Sequence, residues 1–201
     1  MTTEETLEAF KSTGALLEGH FELRSKLHSN RYFQCANVLM YPRIAEKLCA
    51  ALVEKMLAAG IGNVDGVISP AVGGILVGHE VARALNTKCI FAEKVQGEGL
   101  DATGKPNTVL AMRRFAIKPG ERLVVAEDVV TKGGRVQETI DLVKAAGAEV
   151  AAVALLVDRS SGKVTFGDIP MFSLMQMTPE TWTAEECPMC KAGTKPVHPG
   201  S

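Results

Sequence analysis

The sequence predicts an α/β protein built on an open, mostly parallel sheet flanked by helices. Three observations carry this. The segments around Val124 and Val153 are apolar at nearly every position, as strands covered on both faces must be. Stretches of helical period lie between the candidate strands, as crossover connections require. Apolar residues make up 46% of the 201 positions, enough for one sizeable core and short for two. A single domain over 1–201 is expected.

Thr2 and Glu5 stand at capping-box spacing, and Leu7, Phe10 and Leu17 share a helical face, which predicts a first helix over 3–17. The stretch 19–39 mixes Phe21, Leu23, Tyr32 and Phe33 with Arg24, Lys26, His28 and Arg31. It reads as short strands and turns that carry polar groups toward a ligand. Pro42 suits a first helical position and Gly60 a stop, with Ile44, Leu48, Leu52 and Met56 at helical spacing between them. Next come a strand over 64–69, a helix over 75–85, strands over 88–92 and 122–126, a helix over 135–146 and a strand over 149–157. The segment 93–107 holds four glycines or prolines and little apolar period, so it reads as a long mobile loop. The tail beyond Thr183 thins in apolar residues and is expected to fray.

A net charge of −1 provides no global attraction to nucleic acid or anionic lipid, so a site for an anionic ligand must be built locally. No run approaches the roughly 18 apolar residues of a membrane span, and Met1 to Lys11 is acidic and amphipathic, unlike a basic secretion signal. Cys35, Cys49 and Cys89 lie in apolar stretches, as reduced thiols do. A cytoplasmic protein is expected.

Chemistry concentrates after the 122–126 strand, in Glu127, Asp128, Val129, Val130, Thr131, Lys132, Gly133 and Gly134. Backbone N–H groups in a glycine-containing turn make an anion nest, and the helix that follows adds the positive end of its dipole. Two carboxylates repel a phosphate, but they accept hydrogen bonds from vicinal hydroxyls. A ligand with a ribose diol and a 5-phosphate satisfies both halves. Neither Gly-x-x-x-x-Gly-Lys-Ser/Thr nor Gly-x-Gly-x-x-Gly occurs, which disfavours a nucleoside triphosphatase or a dinucleotide enzyme.

This loop resembles the motif by which type I phosphoribosyltransferases bind 5-phosphoribosyl 1-pyrophosphate (PRPP). The chain as a whole resembles the orotate branch of that family nearly end to end. The likeness runs through Gly19-His20-Phe21, His28-Ser29, Tyr32-Phe33-Gln34-Cys35, Ser69 to Gly74, Phe91-Ala92-Glu93, Arg113-Arg114-Phe115, Asp158-Arg159 and Cys187-Pro188-Met189-Cys190. The resemblance implies the type I phosphoribosyltransferase fold, with a core over about 42–160, a small hood from about 18–40 and 161–185, and a tail over 186–201. It implies transfer of the phosphoribosyl group to orotate, giving orotidine 5-phosphate and pyrophosphate in pyrimidine biosynthesis. A purine phosphoribosyltransferase and a non-catalytic PRPP-sensing regulator share the loop and stand as alternatives; near-neutral charge and the lack of a DNA-binding segment weigh against the second.

The resemblance also implies residue roles. Residues 127–134 with Arg135, Gly73 and Gly74 would bind PRPP, and Thr131, Arg159 and Arg24 would bind orotate, with Tyr32 and Phe33 walling the base. Lys94 and Asp128 would be catalytic, with Lys105, Arg113 or Arg114 sharing the role of Lys94 over the pyrophosphate. Mg²⁺ would be held through PRPP or pyrophosphate oxygens, and a homodimer would share its active sites. Lys132 and Arg135 depart from the family pattern, standing where small hydroxyl residues are usual.

Cys187-x-x-Cys190 with His198 invites a zinc reading, yet no fourth ligand follows at the usual spacing, and His20, His28 and His79 are scattered. No metal-ligating residue is expected.

Overall fold

The structure is a computed structural model that describes residues 1–23, 25–100, 104 and 106–199. Helix α1 (Thr3–Ser12) starts at the expected capping box, with the Thr2 and Glu5 side chains each accepting from the other's backbone N–H, and buries Phe10 completely. It ends before Leu17, which belongs instead to strand β1 (Leu16–Glu22). Strand β1 pairs antiparallel with β2 (His28–Phe33), and a four-residue helix α2 (Ala36–Leu39) follows. The expected long helix is α3 (Pro42–Ala58), with proline at its start and Gly60 at φ +82° just past its end.

Strand β3 (Gly66–Pro70) is buried at every position and leads into α4 (Gly74–Ala84). Two expectations need correction here. The described part of the 93–107 segment is strand, not mobile loop: β4 (Lys88–Leu100) runs on to Leu100 and β5 (Pro106–Ala111) lies antiparallel beside it, pairing Glu93 with Ala111 through Gln96 with Thr108, while 101–103 and 105 lie outside the described residues. The strand expected to stop at Ala126 runs on as β6 (Arg122–Val130), so Glu127 and Asp128 are strand residues. After α5 (Gly134–Ala145) and β7 (Glu149–Asp158), the segment assigned to the hood divides. Its first part, β8 (Met171–Gln176), joins the main sheet parallel to β7, and only β9 (Thr181–Trp182) pairs with β2.

The main sheet has the order β5-β4-β3-β6-β7-β8, parallel except at β5, and the small sheet has the order β1-β2-β9. Period-two alternation sorts its buried residues onto two faces. Val67, Val124, Ala126, Ala152, Ala154 and Leu156 meet α1, α3 and α4 through residues such as Leu52 and Val77. Ile68, Leu123, Val125, Val153 and Leu155 meet α5 through Val136, Ile140 and Val143. Alanines on the first face let those helices approach closely, and both faces of β7 are dry, which explains its unbroken apolar run.

The tail does not fray as expected. A short helix α6 (Pro188–Lys191) follows Cys187, which is fully buried, and Val197 returns to β1, donating its N–H to the His20 carbonyl at 2.8 Å and accepting from Glu22 N–H at 3.0 Å. Among the described residues no helix is long and apolar enough to cross a membrane.

Candidate functional site

In an open parallel sheet the carboxyl ends of strands open a crevice that neighbouring connections line. Here the ends of β3, β6 and β7 carry the expected site residues. A cavity of about 510 Å³ lies at the end of β6 and the start of α5, lined by Glu127 to Val136 together with Thr108 and Glu138. The first N–H groups of α5 have no partner within the helix, as at any helix start, and they open into this space.

Gly133 is required twice over. Its φ of +77° is left-handed, and a Cβ there would stand 2.8 Å from Val164 Cγ1 and 3.2 Å from Phe166 Cζ. Gly74 is required by proximity alone: a Cβ would stand 3.0 Å from Ser69 Cβ and 3.1 Å from both the Ala126 carbonyl and Glu127 Oε1. A Cβ at Gly73 would lie 3.4 Å from both carboxylate oxygens of Asp128. The β3–α4 turn and the β6 carboxylates, expected from separate motifs, therefore touch. The peptide between Ala71 and Val72 in that turn is cis.

Glu127 is buried and Asp128 half-buried, with Glu127 Oε1 accepting from the Asp128 N–H at 3.1 Å. Burial pushes the Glu127 carboxyl well up, and the neighbouring Asp128 charge pushes it further; Asp128 is also raised, chiefly by burial. Lys94, exposed on β4, is near enough for its charge to draw Glu127 partly back. A site that holds two acids above their ordinary range and leaves a cavity beside them is ready for donors: ligand hydroxyls or a cation.

The β7 end supplies the other half. Val130 and Asp158 are register partners, and the Arg159 N–H donates to the Val130 carbonyl at 2.8 Å, placing Arg159 beside Thr131. Its guanidinium carbon lies 5.3 Å from the Phe33 ring centroid. Asp158 does not pair with it: one Asp158 oxygen accepts from the Ser160 N–H at 2.8 Å and the other faces Gln176 Nε2 at 3.4 Å. Arg159 Nε is buried and has no hydrogen-bond partner among the described residues, and burial lowers its pKa. Phe33 packs edge-on against Phe10, while Tyr32 tilts against Phe21. Cys35 Sγ, 3.9 Å from the Asp128 carbonyl, brings the end of the small sheet to the same crevice.

The two unexplained charges separate. Arg135 is tied down: it donates to the Thr108 carbonyl at 3.2 Å, to Thr108 Oγ1 at 2.8 Å and to Glu138 Oε2 at 2.7 Å. Glu138 in turn accepts from the Leu110 N–H, so this pair clamps α5 to β5. Lys132 is exposed at the cavity, with no ion-pair partner among the described residues. Arg114 is engaged by Glu93 at 3.2 Å, and Arg113 is exposed. Arg24 and Lys105 lie outside the described residues. Sequence reasoning missed Thr108 as a cavity wall because β5 was not foreseen, and Glu138 because its role shows only once Arg135 and Leu110 of the neighbouring elements meet it.

The family described as phosphoribosyl transferase domain matches residues 39–173. An orotate phosphoribosyltransferase of Heliobacterium modesticaldum is 49% identical over 202 residues, covering 100% of this chain and 99% of the relative. One from Chlorobaculum parvum is 49% identical over 201 residues, covering 100% of this chain and 97% of that protein. Among solved structures, orotate phosphoribosyltransferase from Aeropyrum pernix superposes with a TM-score of 0.66 at 22% identity, over 85% of this chain and 93% of its own. Adenine phosphoribosyltransferase from Rhodothermus marinus gives 0.65 at 22%, over 87% and 99%. The fold thus accommodates more than one base, and it is the sequence relatives that separate the branches.

Proposed function

The chain belongs to the phosphoribosyltransferase family, among the orotate phosphoribosyltransferases, and from that premise we propose that it transfers the phosphoribosyl group of PRPP to orotate through the crevice at the ends of β3, β6 and β7. One observation carries this most directly. A guanidinium with a buried, unpartnered Nε stands over an aromatic ring, one strand away from an acidic pair and an anion nest. A planar carboxylate-bearing base beside a ribose 5-phosphate matches that order of groups.

In this reading residues 131–134 and the start of α5 cradle the 5-phosphate, with Lys132 as a cation at its rim. Glu127 and Asp128 accept from the ribose hydroxyls. Gly73 and Gly74 let pyrophosphate approach the β3–α4 turn, and Arg135 borders the phosphate nest from its Glu138 clamp. Arg159 and Thr131 bind orotate, with Phe33 and Tyr32 walling the base; Arg24 is assigned the same role. An orotate ring nitrogen displaces pyrophosphate at the anomeric carbon: the new C–N bond forms as the C–O bond to pyrophosphate breaks, both electrons of that bond leave with pyrophosphate, and the proton of the ring nitrogen is lost to solvent. The transition state carries positive charge on the ribose. Asp128 stabilises that charge, and Lys94 the departing negative charge.

The donor set near the cavity fits Mg²⁺ only in part. Glu127 and Asp128 are hard oxygen ligands held beside open space, too few for a protein cage, so the ion would take most of its ligands from PRPP and water. When bound it neutralises charge on pyrophosphate oxygens. The protein is assigned to the cytoplasm as a single unit over 1–201, with core and hood meeting at the crevice, and as a homodimer with shared active sites.

Steady-state assays with PRPP and orotate, adenine, hypoxanthine or xanthine test the reading. Turnover with orotate alone is expected; turnover only with a purine would overturn it, and binding of PRPP without turnover of any base would point to a regulator.

A further inference from the structure

Away from the crevice, two pairs of side chains far apart in the sequence converge. His20 on β1, His28 on β2, Cys187 at the start of α6 and Cys190 within α6 bring one nitrogen or sulfur each to within 4.8 Å of all the others. His20 Nε2 lies 2.8 Å from His28 Nδ1, 3.5 Å from Cys187 Sγ and 3.6 Å from Cys190 Sγ, and Cys190 Sγ lies 3.3 Å from His28 Nδ1. Three of the four are buried and Cys190 is half-buried. His198, the histidine that spacing suggested, is elsewhere, 3.1 Å from Glu22.

Hydrogen bonding within the cluster does not account for this packing. Thr194 Oγ1 donates to the Met189 carbonyl at 2.8 Å, so toward His20 Nδ1, 2.9 Å away, it acts as acceptor. That places the His20 proton on Nδ1 and leaves Nε2 with one in-plane lone pair. A single lone pair accepts one proton, yet three groups crowd it. A metal ion at the centre satisfies all four atoms at once.

We propose that His20, His28, Cys187 and Cys190 form a structural site for one divalent transition-metal ion, zinc by its ligand chemistry. Bonds of about 2.3 Å to sulfur and about 2.0–2.1 Å to nitrogen give tetrahedral edges of about 3.3 Å between nitrogens, about 3.5–3.6 Å between sulfur and nitrogen and about 3.8 Å between sulfurs. Two of the sulfur–nitrogen edges given above already have that length, the third is shorter by about a quarter of an ångström, and the nitrogen–nitrogen edge has to open by about half an ångström. The Thr194 contact to His20 is the outer-shell partner that a ligating imidazole characteristically has. Two sulfurs and two nitrogens of the protein fill the coordination, leaving no open position for substrate, so the role is structural. On binding, both thiols lose their protons to solvent, and two thiolates with two neutral imidazoles leave the site uncharged.

The ion would fasten the last turn of the chain to the small sheet. That sheet presents Tyr32 and Phe33 from the same strand as His28, so the clasp supports the base wall from behind without touching it.

Metal analysis of the full-length protein, purified without chelator, is the test. About one zinc per chain is expected, falling to background in the Cys187→Ala/Cys190→Ala double variant. Apoprotein titrated with Co²⁺ should develop thiolate-to-cobalt charge-transfer absorption and the visible bands of a tetrahedral site, saturating at about one equivalent. Thermal stability should fall with a strong chelator and return with zinc. Absence of metal together with no charge-transfer band in the unmodified protein would overturn the proposal, as would zinc retained in full by a folded double variant. The Co²⁺ spectrum decides the matter even if the variant fails to fold. A Cys187–Cys190 disulfide in protein kept under reductant, found by mass spectrometry, would equally overturn it.

Discussion

Arg159 and Phe33 face each other across the boundary between the two sheets, guanidinium over ring at 5.3 Å, and this contact joins the hood to the end of β7, next to the β6 strand that bears the acidic pair. Arg159→Ala should therefore raise KM for orotate by about 10- to 100-fold, the loss of a charge-assisted pair at roughly 1.5–3 kcal/mol. KM for PRPP should hardly change. Phe33→Leu should weaken orotate by less, about 3- to 5-fold, because a cation–π contact contributes about 0.5–1 kcal/mol. Initial-rate kinetics with each substrate varied check both.

The raised acids make a prediction about pH. Unfolded, Glu127 and Asp128 ionise near 4.5 and 3.8; folded, both hold their protons to higher pH. Between those limits the folded state binds more protons, so this pair's contribution to stability is greatest at or below the unfolded values and declines as pH rises through the folded ones. Glu127→Gln should raise the Tm of the ligand-free protein at pH 8, by about 2–4 °C per kcal/mol relieved, and leave it nearly unchanged at pH 4.5. The same variant should lose PRPP affinity. Calorimetry at the two pH values, with and without PRPP, measures it.

Gly133 and Gly60 are both left-handed, at φ +77° and +82°, but only Gly133 is crowded. Gly60→Ala meets no atom within 4 Å and should cost about 1 kcal/mol for the backbone alone. Gly133→Ala adds overpacking against Val164 and Phe166, for a total of about 2–4 kcal/mol. Urea unfolding of the two variants side by side gives the difference.

Arg135→Ala should release the clamp between α5 and β5. Amide exchange at Leu110 and its neighbours should quicken by about 5- to 30-fold, the loss of roughly 1–2 kcal/mol of local protection, while the Tm moves little. Hydrogen exchange followed by mass spectrometry reads this directly.

Shared sites can be tested by complementation. Lys94→Ala should lower kcat by about 100-fold, and Arg159→Ala is impaired as above. Mixing the two after dissociation should restore about a quarter of wild-type activity if Lys94 acts across the dimer. No recovery would place both groups in one subunit's site.

Much of this was legible in the sequence, and the failures have physical reasons. The strands buried on both faces announce themselves as apolar runs, Leu123 to Ala126 in β6 and Val150 to Val157 in β7. Strand β8 sits at a sheet edge with three of six residues only half-buried, so its composition matched a hood as well as a core. Beyond Glu93, β4 alternates exposed and half-buried positions around Gly97 and Gly99, a pattern of two weakly covered faces that glycine content disguised as loop. Glu127 and Asp128 were placed correctly in order and charge, but a strand continuing to Val130 could not be told from a loop by residues that face a crevice. The cluster of His20, His28, Cys187 and Cys190 was beyond local reading, because its ligands meet only once the tail has returned to β1.

Lys94 lies at the root of the β4–β5 hairpin, paired with Leu110 and only six residues past the point where β4 leaves the surface as Lys88. Its direction is set by that pairing, two residues past the last β3 partner at Ala92, not by what lies outward of Gln96 and Thr108. Residues can therefore be gained or lost at the outer end while the cation keeps its aim. A reporter peptide inserted at the outer end of the hairpin should therefore be tolerated with kcat unchanged.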